Sequence, residues 1–190
     1  MHRSLLLIVI RTIVGAAFAV AFAALTRPAA ASGDLQDQNG HAFTFSQLRG
    51  KPAVVTFIAT HCRDACPLIN AQFGALAEQV KAQHVGVQLV SITLDPEHDS
   101  VRDMQHIAKL FKADPHVWTL VSGKPAKIHE LMTRFNVIAV RGKDGFADTH
   151  STFVFLVDRK GQPRRALLAS NVLTQDVIDQ VHQNWHDLTR

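Results

Sequence analysis

The chain has 190 residues, 47% of them apolar and 19% charged, the balance of a folded protein rather than a disordered or many-spanning one. At roughly 100 to 200 residues per domain, one folded body is expected, which excludes a fusion of two enzymes. The net charge of +4 points toward a polyanion until it is located: Arg3, Arg11 and Arg27 lie in an acid-free leader, and without them 17 basic residues face 16 acidic ones. Nucleic acid is therefore not an expected partner.

Residues 1–31 open with His2 and Arg3 and continue as an apolar run broken by Arg11. Pro28 and the small residues Ala29 to Ala31 follow, with the Ala-x-Ala spacing that admits a signal peptidase. The segment reads as a signal peptide or as an N-terminal membrane anchor, since Leu5 to Leu25 is long enough to cross a hydrocarbon core of about 30 Å. Either reading places residues 32–190 outside the cytoplasm, as an exported, periplasmic or inner-membrane-anchored body.

In chain order, Asp37 to Gly40 carries a turn signature ahead of a short extended Phe43 and Phe45. The apolar, β-branched run Pro52 to Ala59 predicts a buried strand, and Pro67 to Gln83 a helix, with Leu68, Phe73, Leu76 and Val80 near helical spacing. Val87 to Leu94 is the next strand. A loop from Asp95 then ends at Ser100, which caps a helix over Val101 to Ala113. Trp118 to Val121 is a third strand, and a helix with Pro125 in its first turn runs to Phe135. Thr152 to Val157 and Arg164 to Ala169 flank a turn at Asp158 to Gln162, and Thr174 caps a last helix to Leu188. This order predicts an α/β fold, thioredoxin-like, with a central mixed sheet flanked by helices.

Cys62 and Cys66 are the only cysteines, at a strand-to-helix junction. A structural disulfide there would close a loop of about five residues, for about 2 kcal/mol in the chain-entropy model, a poor position for a staple. The i, i+4 spacing can instead bring both sulfurs to the start of one helix, where backbone N–H groups favour thiolate and lower the pKa of either cysteine. Two adjacent thiolates suit a soft cation, Cu(I) first and Zn(II) behind it, and equally suit reversible disulfide exchange.

Eleven histidines are available to complete such a site. His61 adjoins Cys62 and reads as a positioning residue. His98 lies in a loop whose neighbouring carboxylates suggest a solvated turn, so neither is assigned to metal. His150 directly precedes a strand, on a loop that approaches the cysteine helix in a thioredoxin-like layout, and is the candidate that would make a Cys2His set.

Three stretches, Thr60 to Pro67, Thr93 to Asp99 and Asp148 to Phe153, together resemble the SCO/SenC family over residues 35–185. The resemblance implies a thioredoxin-like metallochaperone that binds copper through residues matching Cys62, Cys66 and His150; the soft donors favour Cu(I), with Cu(II) as the alternative state. It also implies an N-terminal tether to the membrane and a copper-acceptor protein as partner, a cytochrome c oxidase subunit whose binuclear copper site is matured. Departures from the family pattern are Arg63 where Pro is common, His98 where Arg is common, a short loop before His150 and the lack of any tyrosine.

Two other activities share these residues. As a thiol-disulfide oxidoreductase, Cys62 would attack an acceptor's disulfide and Cys66 would resolve it. As a thiol peroxidase, Cys62 would rely on Thr60 and Arg63.

Overall fold

The structure is a computed structural model that describes residues 33–48, 50–62, 65–150, 153–169 and 174–190, together with the backbone but not the side chains of residues 65 and 148–150. The expected leader, 1–31, and the residues Arg63 and Asp64 between the two cysteines lie outside the described residues. Among the described residues, no helix is long and apolar enough to cross a membrane.

The elements are β1 (Leu35–Asp37), a 3-10 turn (Phe45–Leu48), β2 (Ala53–Ile58), α1 (Ala65–Ala82), β3 (Gln88–Thr93), α2 (Val101–Leu110), β4 (Trp118–Gly123) and α3 (Pro125–Phe135). They continue with β5 (Ala139–Arg141), β6 (Ala147–His150), β7 (Phe153–Val157), β8 (Pro163–Leu168), α4 (Thr174–Gln183) and α5 (Trp185–Leu188). Six strands form a mixed sheet in the order β1-β4-β3-β2-β7-β8. Strands β2, β3 and β4 run parallel, while β1, β7 and β8 pair antiparallel with their neighbours. The expected mixed sheet with helices packed against it is the observed architecture.

Every residue of β2 is buried, because both sheet faces are covered. Val54 and Ile58 join one core with Ile69, Phe73 and Leu76 of α1, Trp118 and Leu120 of β4, and Val177 and Ile178 of α4. Val55 and Phe57, one residue out of phase, join a second core with Ile128, Leu131 and Phe135 of α3. The two-residue period of a strand thus splits one apolar run between two layers. Trp118 is fully buried, and its indole N–H donates to Ser91 Oγ at 3.0 Å, so its one polar atom is satisfied inside the first core.

Local chemistry fixes the ends. Helix α2 begins at a capping box in which Asp103 N–H donates to Ser100 Oγ and Ser100 N–H to the Asp103 carboxylate. Helix α3 has Pro125 in its first turn and ends at Asn136 in the left-handed region, at φ 53°. The turn between β7 and β8 is held by Asp158, whose carboxylate accepts from Lys160 N–H, Gln162 N–H and Arg164 Nε at 2.9, 2.8 and 2.6 Å.

Five features differ from the sequence expectations. Phe45 belongs to a 3-10 turn rather than an extended segment, since the Gln47 side chain accepts from Thr44 N–H at 2.8 Å and donates to Ala42 O at 3.2 Å, closing the chain on itself. The helix after β3 stops at Leu110, because Lys112 turns to φ 54°. The last helix breaks at Asn184, whose side chain donates to Gln180 O at 2.7 Å. Thr174 is the first residue of α4, and the residues before it lie outside the description. The fifth feature bears on function: residues 139–150 form a two-stranded antiparallel ribbon, β5 with β6, and His150 ends it opposite Ala139.

Candidate metal centre

Strand β2 carries the chain out of the sheet at its carboxyl end, and Ala59 to Cys62 turn over that edge with Cys62 N–H donating to Ala59 O at 3.3 Å. Helix α1 then starts at Ala65, so Cys66 sits in its first turn. Cys66 is 1% exposed and belongs to the first core, whereas Cys62 is half-buried and touches both cores. The two thiols are hydrogen-bonding neighbours. Ala59 N–H points back at Cys66 Sγ at 3.4 Å.

This arrangement corrects one expectation. Helix-start N–H groups were expected to lower the pKa of both cysteines, but burial pushes the Cys66 thiol up to about 12, and the Ala59 N–H only partly offsets it. A fold that holds the Cys66 proton more tightly than the unfolded chain keeps that stability below the unfolded value near 9 and loses it as pH rises toward 12. In metal-free, reduced protein, thiolate absorbance should therefore show one thiol ionising far above the ordinary range. Iodoacetamide should modify Cys62 well before Cys66. The chain contains no tyrosine to obscure the measurement. Two thiols ionising together below pH 9 would contradict the buried placement of Cys66.

The loop after β3, Thr93 to Ser100, does the positioning. It was expected to be a solvated turn, yet Asp95 and Asp99 are 0% and 1% exposed. Asp99 accepts from Thr60 N–H at 3.1 Å, from the Thr60 hydroxyl, and from Thr93 Oγ1 at 2.7 Å, and its own carbonyl accepts from Ser122 Oγ at 2.5 Å. It thereby fastens the residue two before Cys62 to the sheet. Its burial raises the carboxyl above the usual value despite the three donors around it.

Asp95 reaches the other way. Its carboxylate accepts from Arg141 Nη1 at 2.6 Å, on β5, and from Ala147 N–H at 3.1 Å, at the start of β6. Burial pushes this carboxyl up, but Ala147 N–H, Arg141 and His98 together hold it below its ordinary value. Arg141 Nη2 also contacts Glu97 at 2.5 Å. A single loop thus anchors both the cysteine turn and the ribbon that ends in His150.

Of the residues singled out in the sequence, Cys62 and Cys66 come together, and the backbone of His150 lies at the end of β6. The His150 side chain lies outside the description, as do Arg63 and Asp64. Among the described residues, no group of three or more histidine, cysteine or acidic side chains is placed to hold a metal ion. Asp95 and Asp99 were missed as positioning residues. The signal available was Thr93, two residues before Asp95 and the donor to Asp99, at the end of a buried strand.

Comparison with known proteins agrees with this frame. An SCO2-like protein of Rickettsia typhi is 26% identical over 135 residues, 68% of this chain and 64% of that protein's length, so the match spans somewhat less than two thirds of that relative. The structure of Bradyrhizobium japonicum ScoI with copper bound superposes with a TM-score of 0.67 at 28% identity, covering 78% of this chain and 94% of that one. BsSco, described as a member of the Sco family of cytochrome c oxidase assembly proteins and as containing a disulfide switch, matches in fold, with a TM-score of 0.68 at 24% identity over 78% of this chain and 88% of that one. The family model described as SCO1/SenC matches residues 26–186, most of the chain, and the chain belongs to that family.

Proposed function

We propose that this protein is an extracytoplasmic copper carrier that holds Cu(I) between Cys62, Cys66 and His150 and passes it to an acceptor, a subunit of cytochrome c oxidase whose binuclear copper site it matures. The observation that carries the reading is the contact of two thiols at a strand-to-helix junction, with the loop that positions them also gripping the ribbon that bears His150. The solved relative with copper bound supports copper as the cargo. Two thiolates and one imidazole satisfy a soft monovalent ion without a fourth ligand, whereas Zn(II) would need one more. Cu(II) is the oxidised cargo the same donors would accept.

Transfer by this route is ligand exchange, without net redox change. An incoming sulfur or imidazole from the acceptor joins the three-coordinate ion, and one of the original ligands leaves and takes up a proton or a hydrogen bond. Cys62 is the more exposed sulfur and the natural point of approach. The buried Cys66 must shed its proton when copper binds, so uptake releases a proton from a thiol that otherwise keeps it.

His150→Ala tests the site. Anaerobic Cu(I) titration against a competing chelator should show affinity falling by on the order of 100-fold, at the upper end of what even a supporting partner of a ligand is worth, while thiol-disulfide exchange remains. Unchanged affinity would remove His150 from the site.

The unequal burial of the two cysteines favours a second activity on the same residues. Cys62 thiolate attacks one sulfur of an acceptor disulfide and releases the other as thiolate. Cys66, losing its proton to that thiolate, then attacks Cys62 Sγ and frees the second acceptor sulfur. Two electrons pass to the acceptor, and this protein is left with a Cys62–Cys66 disulfide. Such a reductase would prepare an acceptor's cysteines for metal. A Cys62→Ser variant should lose it entirely, whereas activity retained in that variant would assign the attack to another group.

A further inference from the structure

Beside the dithiol, three rings meet at the carboxyl edge of the sheet. Phe146, at the end of the β5–β6 turn, lies with its ring centre 4.4 Å from that of His61 and 4.3 Å from that of His98. The two imidazoles are 6.5 Å apart and steeply inclined, at 74°. Their side chains are 47% and 34% exposed, so solutes reach both.

His98 is oriented by the buried Asp95 carboxylate, and His61 by the Thr60 hydroxyl, with the buried Asp99 carboxylate beside it. His98 Nδ1 lies 3.1 Å from both oxygens of Asp95, and His61 Nδ1 lies 3.5 Å from Asp99 Oδ1 and 3.3 Å from the Thr60 hydroxyl. In both rings Nδ1 is thereby engaged toward the protein, and neither Nε2 has a hydrogen-bond partner among the described residues. Carboxylate on Nδ1 with Nε2 left over is the arrangement that makes a histidine a good metal ligand, because it fixes the ring and raises its basicity. With metal–nitrogen bonds of about 2 Å, two imidazoles on one ion have ring centres up to roughly 6 Å apart. The observed separation, 6.5 Å, is slightly wider, so the two rings must draw together to share one ion.

We infer that His61 and His98 form a second copper site, a two-imidazole Cu(I) site distinct from the dithiol, on which an incoming ion lands before reaching Cys62. The number of donors selects the ion. No third histidine, cysteine or acidic side chain among the described residues completes a cluster here, and Cu(I) tolerates two nitrogen ligands in a line where Zn(II) demands about four. His61 is bonded in sequence to Cys62, so copper held by its imidazole is one residue from the dithiol. Asp95 and Asp99, which position the dithiol's surroundings, also lie beside these rings, tying the two sites to one loop. The sequence reading set both histidines aside, His61 as a positioning residue beside Cys62 and His98 as part of a loop whose carboxylates suggested a solvated turn; only folding brings the two rings together.

The test is an anaerobic Cu(I) titration of the full chain against a chromophoric chelator, with X-ray absorption to identify ligand atoms. Wild-type protein should take two equivalents and the His61→Ala/His98→Ala protein one. A Cys62→Ala/Cys66→Ala protein, its fold checked by circular dichroism, should keep one equivalent bound by light atoms alone, with affinity falling at least 100-fold when both histidines are also replaced. A tenfold excess of Zn(II) should not displace that copper. One equivalent in the wild type that both histidine replacements leave untouched, or displacement by Zn(II), overturns the inference. If the dithiol instead holds no copper, the wild type takes a single sulfur-free equivalent, which sinks the carrier reading above and leaves this site standing. Should the cysteine variant fail to fold, the wild-type and double-histidine comparison decides alone.

Discussion

Replacing Asp99 with alanine should lower the unfolding free energy by about 3 kcal/mol and release the cysteine turn. The side chain is buried and accepts from Thr60 N–H, the Thr60 hydroxyl and the Thr93 hydroxyl. Removing it strands these donors, at about 1 to 3 kcal/mol for each one left without water. Part of that loss is returned, because burial makes the charged carboxylate costly and raises its pKa. For a body of this size, 3 kcal/mol corresponds to a drop of about 6 to 12 °C in melting temperature. The isosteric Asp99→Asn should cost less at neutral pH. Since the folded state holds the Asp99 proton more tightly, the wild type is most favoured at the acid end, and the advantage over asparagine shrinks as pH rises through the raised value. Chemical denaturation of both variants across pH 3 to 7 checks the magnitude and the trend. Iodoacetamide labelling of Cys66, slow in the wild type, should quicken in the alanine variant. An alanine variant as stable as the wild type would mean that the turn is held by something other than Asp99.

The sheet and the cysteines were legible in the sequence for definite physical reasons. Val54 to Ile58, Leu89 to Thr93 and Trp118 to Val121 are strands covered on both faces, so hydrophobicity alone marks them. Ser100 with Asp103, Pro125, and Asp158 with Gly161 are local devices whose partners lie within a few residues, which a linear reading can find. The ribbon β5–β6 was missed because its strands are three and four residues long, with Val140 and Arg141 exposed and a register shift between them, so no alternation survives. The positioning role of Asp95 and Asp99 was missed for the opposite reason. A stretch Asp-Pro-Glu-His-Asp has the composition of a solvated loop, and only long-range partners, Thr60 at 39 residues' distance and Arg141 at 46, reveal that its carboxylates are interior groups. What identifies a site residue here is chiefly the donor it meets across the fold, and among its sequence neighbours only Thr93 carries a trace of that role. The buried thiol of Cys66 follows the same logic: the helix start visible in sequence argues for a lowered pKa, and the core packed around the sulfur, invisible there, reverses it.

Replacing Asp95 with asparagine should separate the ribbon from the cysteine turn without disturbing the thiols themselves. In the wild type the carboxylate takes Arg141 Nη1 on one oxygen and Ala147 N–H on the other, so both ends of the ribbon's turn are held to the carboxyl edge of β3. An amide presents its own N–H2 to one of these donors, so at least one of the two bonds is lost and Arg141 keeps only Glu97, at the surface, and the carbonyl of Gly145 within the ribbon's own turn. Breaking a buried ion pair costs about 3 to 5 kcal/mol, but Arg141 is 39% exposed and can rehydrate, which reduces the expectation to about 2 kcal/mol. The pH dependence has the sign opposite to that of Asp99. A carboxyl held below its ordinary value contributes stability above the unfolded value near 3.8 and loses it as pH falls through the lower folded value. The wild type should therefore be destabilised by acid over that window, and Asp95→Asn should flatten this limb of the curve. Amide exchange in residues 139–147 should accelerate while exchange in β2 and β3 stays slow, and the late ionisation of Cys66 should persist. If His150 completes the copper site, Cu(I) affinity should fall in this variant almost as far as in His150→Ala, although every proposed ligand is still present. Ribbon exchange that quickens with no change in copper affinity would show that the metal does not depend on where β6 is held, and would count against His150 as a ligand.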